Sequence, residues 1–139
     1  MELNNSHYVS FTLGGLAFEY DEEKNRKNIK NHGISFESAA RVFFDYDRIE
    51  FYDEKHSENE ERFDTIGDLS VGNLELKNTE GEMTIGNIGN LLQGEDDVLF
   101  VVYTERVYTM ENNIKTEVIR LISARYATSF ERGLYYGKC

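Results

Sequence analysis

Val98-Leu99-Phe100-Val101-Val102-Tyr103 is an unbroken apolar run, nearly all of it β-branched or aromatic. A run of this length and kind marks a central strand buried on both faces. Glu117 to Arg125 is its predicted partner, and the polar Met110-Glu111-Asn112-Asn113-Ile114-Lys115 between them suits a hairpin tip. Just downstream, Thr128-Ser129-Phe130-Glu131 spells a capping box, in which the hydroxyl and the carboxylate each satisfy a free N–H, so a short final helix opens there.

Upstream, Arg48-Ile49-Glu50-Phe51-Tyr52 and Arg62-Phe63-Asp64-Thr65-Ile66 alternate with period two on either side of a polar loop, Asp53 to Glu61, which predicts two paired antiparallel strands. The region from Asp45 to Asp68 is rich in carboxylates and reads as a solvated hairpin edge. Ser35 is a candidate N-cap with Glu37 in the first turn, and Phe36, Ala39, Ala40, Val42, Phe43 and Phe44 make an apolar helix that should pack on the sheet. Before it, Asp21 caps a helix whose acids, Glu22 and Glu23, precede its bases, Lys24, Arg26, Lys27 and Lys30, the order the helix dipole favours; Gly33 suits the C′ position. Ile29 is its one strongly apolar residue and predicts a narrow buried stripe. Leu16 to Tyr20 is a short strand, and the residues ahead of Gly14-Gly15 carry no predicted element.

Residues 69–97 are punctuated by glycines and hold two short strand-like pieces, Leu74 to Lys77 and Met83 to Ile85, with a turn at Asn78-Thr79-Glu80-Gly81, so an inserted hairpin or mobile excursion is expected there. The sum is one domain over residues 1–139 of the α+β class. Two N-terminal helices pack on a mostly antiparallel sheet of four to five strands, with a short C-terminal helix.

The 139 residues, with nine Phe and nine Tyr, suffice for a core. Twenty-six acids against fifteen bases give a net charge of −11, which excludes nucleic-acid binding by a broadly basic surface and confines any phosphate contact to a local patch. No apolar run is long enough to cross a bilayer, and a cytoplasmic protein is expected. Cys139 is the only cysteine, and His7, His32 and His56 lack the spacing that sets two ligands on one helical face, so neither a metal nor another cofactor is expected. Nucleotide-binding glycine motifs and the hydrolase elbow are also missing.

Several blocks resemble one family. Phe18-Glu19-Tyr20-Asp21 with Lys24, Asn28 and His32-Gly33, then Ser35-Phe36-Glu37 and Ala39-Ala40, look like the opening of the BrnT toxins. Asp53-Glu54-Lys55-His56-Ser57-Glu58 with Glu60-Glu61-Arg62-Phe63, Val101 to Arg106, and Ile122-Ser123-Ala124-Arg125 with Ala127-Thr128 and Glu131-Arg132 resemble its later blocks in order. The resemblance implies a RelE-like fold and the ribonuclease toxin of a type II toxin–antitoxin pair. It also implies a ribbon-helix-helix antitoxin of the BrnA type, RNA as substrate, and DNA contact only through that antitoxin.

Metal-free RNA cleavage needs a base for the 2′-hydroxyl proton, an acid for the leaving 5′-oxygen and cations at the phosphorane. Arg62, Arg106 and Arg125 are the candidates for holding the phosphate, because a guanidinium stays charged and its fork matches phosphate oxygens. The rival expectation is that each simply pairs with a nearby acid such as Glu61 or Glu105. His56 is the candidate for proton transfer and Glu61 the alternative base. Lys24, Lys27 and Lys30, at helical spacing, are candidates for an RNA track, and Tyr103, Tyr126, Tyr135 and Tyr136 for base stacking. A protein that has lost cleavage and only binds an antitoxin-like partner is the alternative function.

Overall fold

The structure, a computed structural model, describes residues 7–80 and 97–137. Its elements are β1 (Tyr8–Leu13), β2 (Leu16–Asp21), α1 (Glu22–His32), α2 (Phe36–Ala39) running into a 3-10 turn (Ala40–Phe44), β3 (Ile49–Tyr52), a short 3-10 turn (Glu54–His56), β4 (Arg62–Asp68), α3 (Leu69–Glu80), β5 (Val98–Thr109), β6 (Lys115–Tyr126) and α4 (Ser129–Tyr136). The α+β class stands, but among the described residues the sheet has six strands in the order β1-β2-β6-β5-β4-β3, more than the four to five expected. The added strand is β1. It pairs with β2 across Gly14-Gly15, both at positive φ, the conformation a two-residue hairpin turn demands. All pairings are antiparallel except β2 with β6.

The long β5–β6 hairpin and the β3–β4 hairpin form where the alternation places them. One irregularity governs the sheet's chemistry. Val102 pairs with Ser123 but Tyr103 with Leu121, so Ile122 is an extra residue on β6. Ala124 and Leu121 are three apart, an odd spacing that would put them on opposite faces of a regular strand. The bulge restores both to the face beneath α2 and its 3-10 turn. There they join Phe18, Phe36, Ala39, Val42, Leu99 and Val101, all buried. Rings run across this covered face from Phe11 to Phe18, Phe43, Tyr103 and Phe63, centroid to centroid at 5.0–5.6 Å.

Three local expectations are corrected. The apolar segment after Ser35 is one α-helical turn followed by 3-10 geometry, whose spacing of three stacks Ala40 over Phe43 and Ala39 over Val42, all four facing the core. In α1, Ile29 is 44% exposed and the buried residue is Asn28, at 6%. Its amide donates to the carbonyls of Ile34 and Ala124, and its oxygen accepts the Ala124 N–H, taking up β6 main-chain groups just past Leu121, where the β2 pairing ends. Third, Leu74 to Lys77 is not a strand but part of α3. Asp68 accepts from the N–H groups of Ser70 and Val71 and so caps it, and Gly72 lets the helix lie on the 3-10 turn, since a Cβ there would fall 1.9 Å from the Arg41 carbonyl oxygen. The expected turn at 78–81 is helical through Glu80, while Met83 to Ile85 lies outside the described residues.

The capping box at Thr128 forms as expected and launches α4, which crosses the other face of the sheet. There Tyr135 packs with Ile66 and Val98 and donates its hydroxyl to the fully buried Asp45 at 2.5 Å. Asp45 also accepts the N–H of Asp47 and of Asp68, and is therefore a buried carboxylate with a hydrogen bond on each oxygen.

Candidate active face

The face opposite α2 carries the charged row. Register puts Arg62 directly across from Thr104, with Arg106 two residues further along β5, so both arginines project from one patch. Glu60 lies between them, its Oε1 3.0 Å from Nη1 of Arg106 and its Oε2 3.4 Å from Nη2 of Arg62. The arginines are thus paired with an acid, but it is one shared acid, neither Glu61 nor Glu105. A hollow of about 520 Å³ opens beside them, lined by Lys55, His56, Glu58, Asn59, Glu60 and Arg62. The loop forming its wall is cinched at both ends: Asp53 N–H donates to the Arg62 carbonyl at 2.8 Å, Arg62 N–H to Ser57 Oγ at 3.0 Å, and Thr104 Oγ1 to the Glu61 carbonyl at 2.6 Å.

His56 stands on the rim with its side chain 64% exposed, and its Nδ1 lies 3.0 and 3.1 Å from the two oxygens of Asp53, whose side chain is only 11% exposed. Asp53 in turn reaches Asp64, which projects from β4 on the same face as Arg62. Burial, then the hydrogen bond and charge of Asp53, push the Asp64 carboxyl up to about 6, against the pull of His56 and Arg125. Burial also works to raise Asp53, but hydrogen bonds with His56 and Asp64 outweigh it and leave that carboxyl below its usual range. Asp64 Oδ1 and Arg62 Nε are buried and find no partner among the described residues.

Arg125 lies on this face too, paired across from Phe100. Its guanidinium stacks 4.3 Å from the Phe100 ring centre and forms a two-pronged bond with Glu131, at 2.9 and 3.0 Å. Glu131 is the capping-box residue of α4, so this arginine ties the helix to the sheet. The remaining candidates are dispersed. Lys24, Lys27 and Lys30 are exposed on α1, a different element from the arginine strands. Glu61 is exposed on the loop. Tyr103 and Tyr135 are buried, whereas Tyr126 and Tyr136 are 52% and 57% exposed.

The carboxylate-rich hairpin is less of a solvated edge than its composition suggests, because Asp45 and Asp68 are buried and Asp53 and Asp64 face each other. Sequence reasoning missed Glu60, Asp53 and Asp64 as members of the site. The alternation Arg62-Phe63-Asp64 does set Arg62 and Asp64 side by side, which was the signal available.

No curated protein matches the chain. The segment from Tyr20 to Leu76 contains Asp53, His56, Glu60, Arg62 and Asp64 but stops short of β5 and β6, where Arg106 and Arg125 stand. Residues 20–76 match the family model for the ribonuclease toxin, BrnT, of type II toxin–antitoxin systems.

Proposed function

We propose that the protein is the toxin of a type II toxin–antitoxin pair and cleaves RNA without a metal, by attack of a 2′-hydroxyl on the neighbouring phosphate. The observation that carries this is the convergence of His56, Arg62 and Arg106 on one patch around Glu60. A carboxylate bridging two guanidinium groups occupies the place a phosphate would take, and the exchange of one anion for the other leaves both arginines charge-balanced throughout. In this scheme His56 takes the 2′-hydroxyl proton, with Glu61 as the alternative base, and Arg62 and Arg106 stabilise the phosphorane. The new O2′–P bond forms as the P–O5′ bond breaks to leave a 2′,3′-cyclic phosphate, and the departing 5′-oxygen takes its proton from solvent. Arg125, engaged by Glu131, contributes to the phosphate site only through its positive field near Asp64. Lys24, Lys27 and Lys30 offer outlying contacts to the RNA strand. Within the proposal, the fold is RelE-like and the partner is a ribbon-helix-helix antitoxin of the BrnA type that alone touches DNA.

One observation favours a second function: all three arginines are already ion-paired. A chain in which Glu60 never yields would be an inactive member of the fold that binds an antitoxin-like protein. Induced expression of the wild type, Arg62→Ala and Arg106→Ala, with growth and RNA integrity followed, separates the two. The enzyme predicts RNA breakdown by the wild type and its loss in both variants. Equal, harmless behaviour of all three leaves only the binding module.

A further inference from the structure

We infer that the Asp53–Asp64 carboxyl pair positions the His56 imidazole, holding its Nδ1 against Asp53 and leaving Nε2 to the hollow beside Arg62. The inference rests on the proposed ribonuclease function for its purpose, but not for its geometry. A ring nitrogen 3.0 and 3.1 Å from both oxygens of a carboxylate is a donor, so the neutral ring carries its proton on Nδ1 and presents a lone pair on Nε2. The carboxylate lies behind the ring and away from water, while the ring is exposed and lines the hollow. An exposed histidine turns freely unless one side is held, and here the holder is itself held. Asp53 accepts the His56 main-chain N–H at 3.2 Å, capping the 3-10 turn, and abuts Asp64, anchored on β4.

Asp64 Oδ1 is buried and, among the described residues, meets no N–H or hydroxyl donor, a need that a proton carried by the carboxyl pair would meet. The raised Asp64 carboxyl agrees with such sharing. The charged groups facing it are Asp53 from the loop, His56 from the 3-10 turn and Arg125 from β6, with Arg62 two residues away on its own strand. Asp53 and Asp64 are thus positioning residues and His56 the group that meets substrate, the division of labour of a histidine whose tautomer is fixed by a carboxylate.

The test is two-bond 1H–15N correlation of the His56 ring in the full chain. In the wild type the neutral form of the His56 ring should carry its proton on Nδ1. Asp53→Asn and Asp64→Ala should shift the population toward Nε2–H, and Asp64→Asn, which still donates to Asp53, should restore the wild-type tautomer. A wild type with its proton on Nε2 overturns the inference, as does an Asp53→Asn protein, near-isosteric and shown folded by its methyl spectrum, that keeps Nδ1–H. If RNA is cleaved, Asp53→Asn should lower kcat roughly tenfold or more with little change in KM. Tautomers as expected in a chain that never cuts RNA would refute the ribonuclease and leave the positioning intact.

Discussion

The two faces of this sheet are built from the same strands and obey different physics. On the covered face Leu99, Val101, Tyr103, Leu121 and Ala124 meet α2 and its 3-10 turn in a continuous apolar layer. On the other, Arg62, Asp64, Arg106 and Arg125 project among carboxylates, and α4 covers only the end nearest Ile66 and Phe100. Alternation with period two is what lets one strand serve both, so β5 supplies Leu99 to the core and Arg106 to the site without compromise. Stability should therefore reside on one face and activity on the other.

The largest effect expected is on the covered face. Leu99→Ala removes a fully buried side chain and should destabilise the fold by about 3 kcal/mol in denaturant titration. Arg106→Ala, on the far face, should change stability by less than about 1 kcal/mol, since its ion pair is partly exposed. On the proposed ribonuclease function, it should nevertheless reduce RNA cleavage by about 100-fold in a purified assay. A large stability loss in Arg106→Ala would dissolve the division between the faces.

Asn28→Leu, of similar volume, leaves the Ile34 carbonyl and both main-chain groups of Ala124 without partners and should cost about 2 kcal/mol, read by thermal melting and by faster exchange of the Ala124 amide. The smallest effect is in pH dependence. Asp64 is held up to about 6 in the fold, against about 3.9 in an unfolded chain, so between those values the folded state binds a proton the unfolded state lacks. Its contribution to stability is present below about pH 4 and is lost as the pH rises through 6. Asp64→Asn should flatten that fall, seen as a midpoint temperature that gains on the wild type from pH 4 to 7. A parallel profile would show that Asp64 titrates as a free carboxylate.

Where a signal is local, the chain spelled out its structure. The caps at Asp21 and Thr128, the alternation of Arg48 to Tyr52 and Arg62 to Ile66, and the apolar Val98 to Tyr103 all became the elements they announce. What was not legible depends on distant partners. Leu74 to Lys77 joins a helix because Gly72 meets the carbonyl of Arg41, thirty-one positions earlier. Asn28 is buried because its amide meets a strand ninety-six residues away. The arginines were legible as a set but not in their pairing, since Glu60 bridges two of them across strands and Glu131 reaches Arg125 from the last helix.

Asn28 engages only main-chain atoms, the Ile34 carbonyl and the N–H and carbonyl at position 124, so it grips the strand whatever side chain, proline apart, that position carries. Helix α1 is consequently riveted to the sheet through an amide that does for β6 what the main chain of a neighbouring strand would do. An Asp at that site could accept but not donate, and the rivet would hold by one prong.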